Sequence, residues 1–329
     1  MNSRKCSLLL GVALIAAFPA AAQTASTGSG QAYPVRPVRM IVPFAAGGNT
    51  DITARAIGAR LSEVFGHQVV VENRPGGATN IGSELVAKAP ADGYTILMGG
   101  ATNAINMSTQ AKPPYDTLRD FAPVILCVKG ANVLSMHPSV PARNLKELIA
   151  LARARPGQLN FASSGLGSSN QMAGELFKMM ANINIVHVPY KGNAPALTDT
   201  IAGHVEMMFS GVPALIPHIQ SGRLRAIAIG SLKRFTAIPE VPTFDESGVK
   251  GYEATTWFGL MAPVKTSKEI VARWNVEVGK ILASPDLKGR FINEGLEPMG
   301  GTQEEFGRFI RAEIEKYAKV VKATGMKPQ

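Results

Sequence analysis

Two short segments of the chain collect the residue types that bind an anion without a charged side chain. One is Val42-Pro43-Phe44-Ala45-Ala46-Gly47-Gly48-Asn49-Thr50-Asp51, the other Phe161-Ala162-Ser163-Ser164-Gly165-Leu166-Gly167-Ser168-Ser169-Asn170. Each places glycines and small hydroxyl residues where an apolar strand gives way to a helix. Free backbone N–H groups and the positive end of a helix dipole meet there, which makes an anion site. Two such mouths facing each other predict a clamp for a small carboxylate.

In the first loop, Gly47 and Gly48 clear the approach to the backbone amides, Thr50 adds a hydroxyl donor, and Asp51 is expected to cap the helix that follows. The second loop holds four serines, two glycines and Asn170, a cluster that is costly to bury unless its donors are used. Three charge-assisted hydrogen bonds to a carboxylate, at about 1.5–3 kcal/mol each, give about 5–9 kcal/mol before costs. Micromolar affinity needs about 8 kcal/mol, so an arginine clamp is not required.

Other chemistries fit less well. Gly165-Leu166-Gly167 lacks the further glycine and the acidic residue of a dinucleotide turn. There is no G-x-S-x-G elbow, no H-E-x-x-H and no cysteine set for zinc, so neither a cofactor nor a metal is expected. The five histidines are dispersed and read as structural. A secreted hydrolase stays open only through a pairing of Ser164 or Ser168 with a distant His and Asp.

The positioning elements follow from the rest of the chain. Arg4 and Lys5, the apolar run from Leu8 to Phe18 and Ala20-Ala21-Ala22 predict a signal peptide over residues 1–22 and hence a periplasmic protein. Residues 23–32, rich in Ser, Thr and Gly, are expected to form a disordered leader. Cys6 leaves with the signal, so Cys127 has no disulfide partner and the fold must rest on core burial. Removing Arg4 and Lys5 leaves 32 basic against 24 acidic residues, a net charge of +8, scattered rather than gathered with aromatics. That argues against nucleic-acid binding.

From Tyr33 onward strand and helix patterns alternate, which predicts an α/β protein with mainly parallel sheets and right-handed crossovers. Two long extended segments, Phe121 to Met136 and Tyr252 to Met261, read as crossings between two lobes. The lobes are residues 33–125 with 251–329, and residues 126–250. Paired crossings allow hinge closure on a ligand at the carboxyl ends of the strands, where both glycine loops fall.

The runs VPFAAGGNTD, VVVENRPGGATNIGSELVAKAPADGYTILMG, LNFASSGLGSSNQMAGELF and VHVPYKGNAPALTD resemble the Bug (TctC-like) family of periplasmic solute-binding proteins, over about Tyr33 to Ala323. The resemblance implies a type II periplasmic-binding fold, two lobes joined by two crossover strands around a ligand cleft. It also implies a non-enzymatic, monomeric receptor that hands a small carboxylate to the membrane subunits of a tripartite tricarboxylate transporter; a receptor read by a membrane sensor is the alternative. Carried onto this chain, it nominates Phe44, Ala45, Gly47, Gly48, Thr50 and Asp51 on one side. Ser163, Ser164, Gly167, Ser168, Ser169 and Asn170 answer from the other, with Ala101, Thr102, Asn103, Tyr190 and Ser210 on the wall. Gln171 and Ser210 stand where family members often carry His and an acidic residue; the second change removes a carboxylate that could pair with an amine, which tilts the expected ligand from amino acids toward plain mono- or dicarboxylates, aromatic ones included.

Overall fold

The computed structural model describes residues 33–326 and 328; the expected signal and leader lie outside the described residues. The chain opens with β1 (Val38–Val42), α1 (Asn49–Phe65), β2 (Val69–Asn73), α2 (Asn80–Ala87), β3 (Thr95–Gly100) and α3 (Ala101–Thr109). β1 lies parallel to both β2 and β3. Helix α1 ends where Gly66 turns left-handed (φ 67°), the conformation glycine adopts at least cost.

β4 (Phe121–Met136) has the bounds expected of the first extended segment. Phe121–Ala131 pairs antiparallel with β9 (Thr255–Pro263), the second extended segment, which itself pairs with β3. Asn132–Met136 pairs with later strands. Between β4 and β9 come α4 (Leu145–Ala154), β5 (Asn160–Ser163), α5 (Ser169–Ala181), β6 (Val186–Pro189), α6 (Asn193–Ile201), β7 (Met207–Gly211), α7 (Val212–Gln220) and β8 (Arg225–Ile229). The chain closes with α8 (Lys268–Ala283), α9 (Pro285–Asn293), β10 (Leu296–Gly300) and α10 (Gln303–Thr324).

The sheet is mixed, with order β2-β1-β3-β9-β4-β7-β5-β6, and β8 and β10 on β4. Its βαβ units are parallel, and each antiparallel pairing involves β4 or β9. No helix among the described residues is long and apolar enough to cross a membrane.

Two cores fix the strand ends that carry the loops. Val38, Met40, Ile57, Leu61 and Ile96 pack with Trp274 and Phe291 under the first strands. Phe161, Phe177, Phe209, Phe244 and Tyr252 form an aromatic cluster under the later ones, with Phe244 and Tyr252 stacked at 4.0 Å between ring centroids. Phe209, fully buried on β7, touches Phe161, Phe177 and Phe244 and holds the strand that ends at Gly211. Phe209→Ala is expected to cost about 3–5 kcal/mol, read as a lower urea midpoint. A loss below about 1 kcal/mol would mean that the cluster does not hold β7.

Candidate functional site

A small cavity, about 30 Å³ open to water-sized groups, lies where the strand ends meet. The first residues of five helices line it: Gly48, Asn49 and Thr50 of α1; Gly100, Ala101 and Thr102 of α3; Ser169 and Asn170 of α5; Asn193 of α6; and Gly211 before α7. Phe44, Asn132, Ser164, Thr256 and Phe258 complete the wall. No Lys, Arg, His, Asp or Glu is among the lining residues. The N–H groups of Asn49, Thr50, Ala101, Thr102, Ser169 and Asn170 meet no acceptor among the described residues. A helix leaves such donors unpaired at its start, so they stay available to a guest.

The glycines are needed for clearance. A Cβ on Gly48 would sit 3.4 Å from Asn193 Cβ, and one on Gly211 would sit 2.7 Å from Asn49 Nδ2. Asn49 Oδ1 accepts from Ala214 N at 3.0 Å, which ties the start of α1 to the first turn of α7. Ser169 Oγ donates to Thr256 Oγ1 at 3.2 Å, which ties α5 to β9.

Phe44, Gly48, Thr50, Ala101, Thr102, Ser164, Ser169 and Asn170 of the expected set come together at this cavity. Asp51 lies inside α1 rather than capping it: Gly48 is the N-cap, and the Asp51 carboxylate turns back to accept from Gly47 N (2.9 Å), Arg55 Nε (3.0 Å) and Asn73 Nδ2 (3.0 Å). Burial pushes this carboxyl up, but those three donors outweigh it and hold it below the usual range. The same contact consumes the Gly47 N–H. Ala45 packs against Gly192, where an added Cβ would fall 2.8 Å from Ala45 Cβ. The Asn103 side chain is spent on Gly100 N, Ser83 and Tyr115, and Ser210 Oγ donates to the carbonyl of Gly211.

Gly167 N donates to Gln171 Oε1 at 2.7 Å, and Ser168 Oγ caps α5 by accepting from Gln171 N. Ser168 and Tyr190 line an outer chamber of about 280 Å³ that shares Phe44, Thr102 and Ser164 with the inner cavity. Pro43, Leu166, Pro189 and Lys191 also line this chamber. Gly167 lies in a further recess with Thr109 and Gln171. The Tyr190 hydroxyl donates to Asp199 Oδ2 at 2.7 Å, and burial together with that carboxylate pushes it up to about 12.

Asn49, Asn132, Asn193, Thr256 and Phe258 escaped the sequence reading. Asn49 lies inside the first glycine loop, and Asn132 interrupts the apolar pattern of β4, the one signal the sequence offers for it; Thr256, beside Thr255 at the start of β9, carries none.

The chain matches the family model described as the tripartite tricarboxylate transporter family receptor over residues 53–326, and it belongs to that family, one of receptors rather than enzymes. It is 38% identical to protein BugT of Bordetella pertussis over 318 residues, 96% of this chain and 98% of BugT. It is similar to two solved structures. Rpa4515 of R. palustris, solved with adipate, is 40% identical with a TM-score of 0.88, covering 90% of this chain and all of that one. MatC of Rhodopseudomonas palustris, with bound malate, is 29% identical with a TM-score of 0.84, covering 88% and 100%.

Behind the second loop, Ser163 Oγ and His187 Nε2 share a 2.6 Å hydrogen bond, and the imidazole stacks on Phe161. Burial, helped by Lys178, pulls His187 down to about 4. A depressed histidine stabilises the fold fully above its unfolded value near 6.5, and that contribution is lost as the pH falls toward 4. Between pH 7.5 and 4.5 the wild type should lose about 2 kcal/mol more stability in urea than His187→Gln. Equal losses would contradict a neutral, buried imidazole.

Proposed function

We propose that this protein is a periplasmic receptor that captures a small mono- or dicarboxylate and delivers it to a tripartite tricarboxylate-type transporter. One observation carries the reading: unpaired N–H groups from separate helix starts converge on a cavity with no charged lining residue. A carboxylate is the guest whose charge and lone pairs match such a site. The family description, the adipate in Rpa4515 and the malate in MatC support the same ligand class.

The carboxylate sits among Gly48, Thr50, Ala101, Thr102, Ser169 and Asn170, and the remainder of the ligand extends past Phe44 and Ser164 into the outer chamber. Residues 33–125 with 251–329 act as one lobe and residues 126–250 as the other, with β4 and β9 flexing between them. Contacts such as Asn49 to Ala214 mark the closed state that a transporter subunit reads. The segment 1–22 directs export. The receptor acts as a monomer.

Thermal melting of the purified mature protein with a panel of carboxylates tests this directly. A ligand at a hundred times its dissociation constant adds about 2.7 kcal/mol, which raises Tm by about 5–10 °C for a chain of this size. Gly48→Val keeps an ordinary backbone conformation but fills the cleft toward Asn193, and should weaken that ligand at least tenfold. A panel with no stabilising member would refute the carboxylate reading. A Gly48→Val protein that binds as well as wild type would refute its placement.

A further inference from the structure

Asn193 opens α6 on the wall of the inner cavity, directly across from Gly48. It is only 5% exposed, yet neither Nδ2 nor Oδ1 of its carboxamide has a hydrogen-bond partner. A second orphan lines the same cavity. Asn132 on β4 is 1% exposed; its Nδ2 donates to Ser169 O at 3.4 Å, which leaves Oδ1 as the free end, and that oxygen is unpartnered. Buried amides are almost always paired, so two unpaired amide oxygens at one cavity mark what a guest must supply.

The helix starts offer donors, whereas these two oxygens offer acceptors. A plain carboxylate brings acceptors alone. It satisfies the helix N–H groups and Asn193 Nδ2 but strands both amide oxygens, at the cost of two buried unpaired groups. We infer that the preferred ligand carries a hydroxyl on the carbon next to its carboxylate. This inference rests on the carboxylate reading above and names Asn193 as the specificity-determining residue. In a 2-hydroxycarboxylate the hydroxyl and the near carboxylate oxygen stand side by side. They match the side-by-side acceptor and donor of a carboxamide: the hydroxyl donates to Asn193 Oδ1 while Nδ2 donates to the carboxylate, so that one amide oxygen, Asn132 Oδ1, is left unpaired instead of two.

An amine in place of the hydroxyl is disfavoured. An ammonium would face the positive ends of five helices with no acidic residue on the cavity wall. The nearest candidate in sequence, Asp51, is already engaged by Gly47, Arg55 and Asn73.

Matched pairs decide the matter by isothermal titration of the dialysed mature protein: propionate with lactate, succinate with malate, glutarate with 2-hydroxyglutarate, and phenylacetate with mandelate. Both enantiomers are titrated, and aspartate serves as the amino counterpart of malate. At least one hydroxylated member should bind tenfold or more tighter than its deoxy partner, about 1.4 kcal/mol, and aspartate should bind more weakly than malate. Asn193→Ala should reduce that preference to within threefold. Its side chain has no protein partner to strand, so the ligand-free Tm should not move. Equal affinities within every bound pair, as bridging water would give, overturn the inference and leave the carboxylate reading standing. A preference that survives Asn193→Ala also overturns it. Should no acid of either kind bind, the carboxylate reading falls, and this inference with it.

Discussion

An α-helix cannot pair its first N–H groups internally, so each helix start must meet water, a side chain or a guest. In this chain five starts open onto one cavity, and none of its lining residues is charged. The rest of the architecture follows from keeping those donors together. Parallel βαβ units direct the carboxyl ends of the strands, and the helices that follow them, to the same side. The paired strands β4 and β9 run through the middle of the sheet and connect its two ends.

Chemistry at the helix starts and chemistry in the loops before them are different. The loop amides are largely spent on the protein itself: Gly47 on Asp51, Gly165 on Ser163 and Gly167 on Gln171. Those bonds shape the turns, and left-handed Gly47 (φ 79°) and Gly167 (φ 69°) permit them. The residues just downstream keep their N–H groups free. Asp51, the one acid in the first loop, is held ionised but paired with Arg55 and turned back onto Gly47 N and Asn73.

Much of this was legible in the sequence. Continuous apolar runs gave β4 its bounds, and the glycine–serine loops pointed to the helix starts that line the cavity. Helix α3 is not legible in the sequence because Thr102, Asn103, Asn106, Ser108 and Thr109 break the apolar periodicity; the Asn103 and Asn106 amide nitrogens donate to Ser83, Tyr115 and the Ala78 carbonyl, contacts that only the tertiary fold creates. The short strand β10 was hidden by Glu297 and Pro298, tolerable because it has one partner, β4. Asn193 is not recognisable as a site residue in one dimension, since its significance lies in a carboxamide left without a partner once buried; Asn132 shows in the sequence only as a polar break in a strand, not as a buried free oxygen. Asp51 does sit in the first turn of α1, but side-chain identity does not say whether a carboxylate caps the helix or reaches back, and here it reaches back to Gly47 N.

The central claim is that main-chain donors at helix starts, rather than charged side chains, hold the carboxylate. Amide-resolved NMR of the isotopically labelled protein, titrated with its tightest-binding carboxylate, tests it most directly. The account predicts the largest downfield proton shifts at the N–H groups of Asn49, Thr50, Ala101, Thr102, Ser169 and Asn170, where charge-assisted hydrogen bonds form. Shifts confined to the outer chamber around Lys191, with those six amides unmoved, would contradict it.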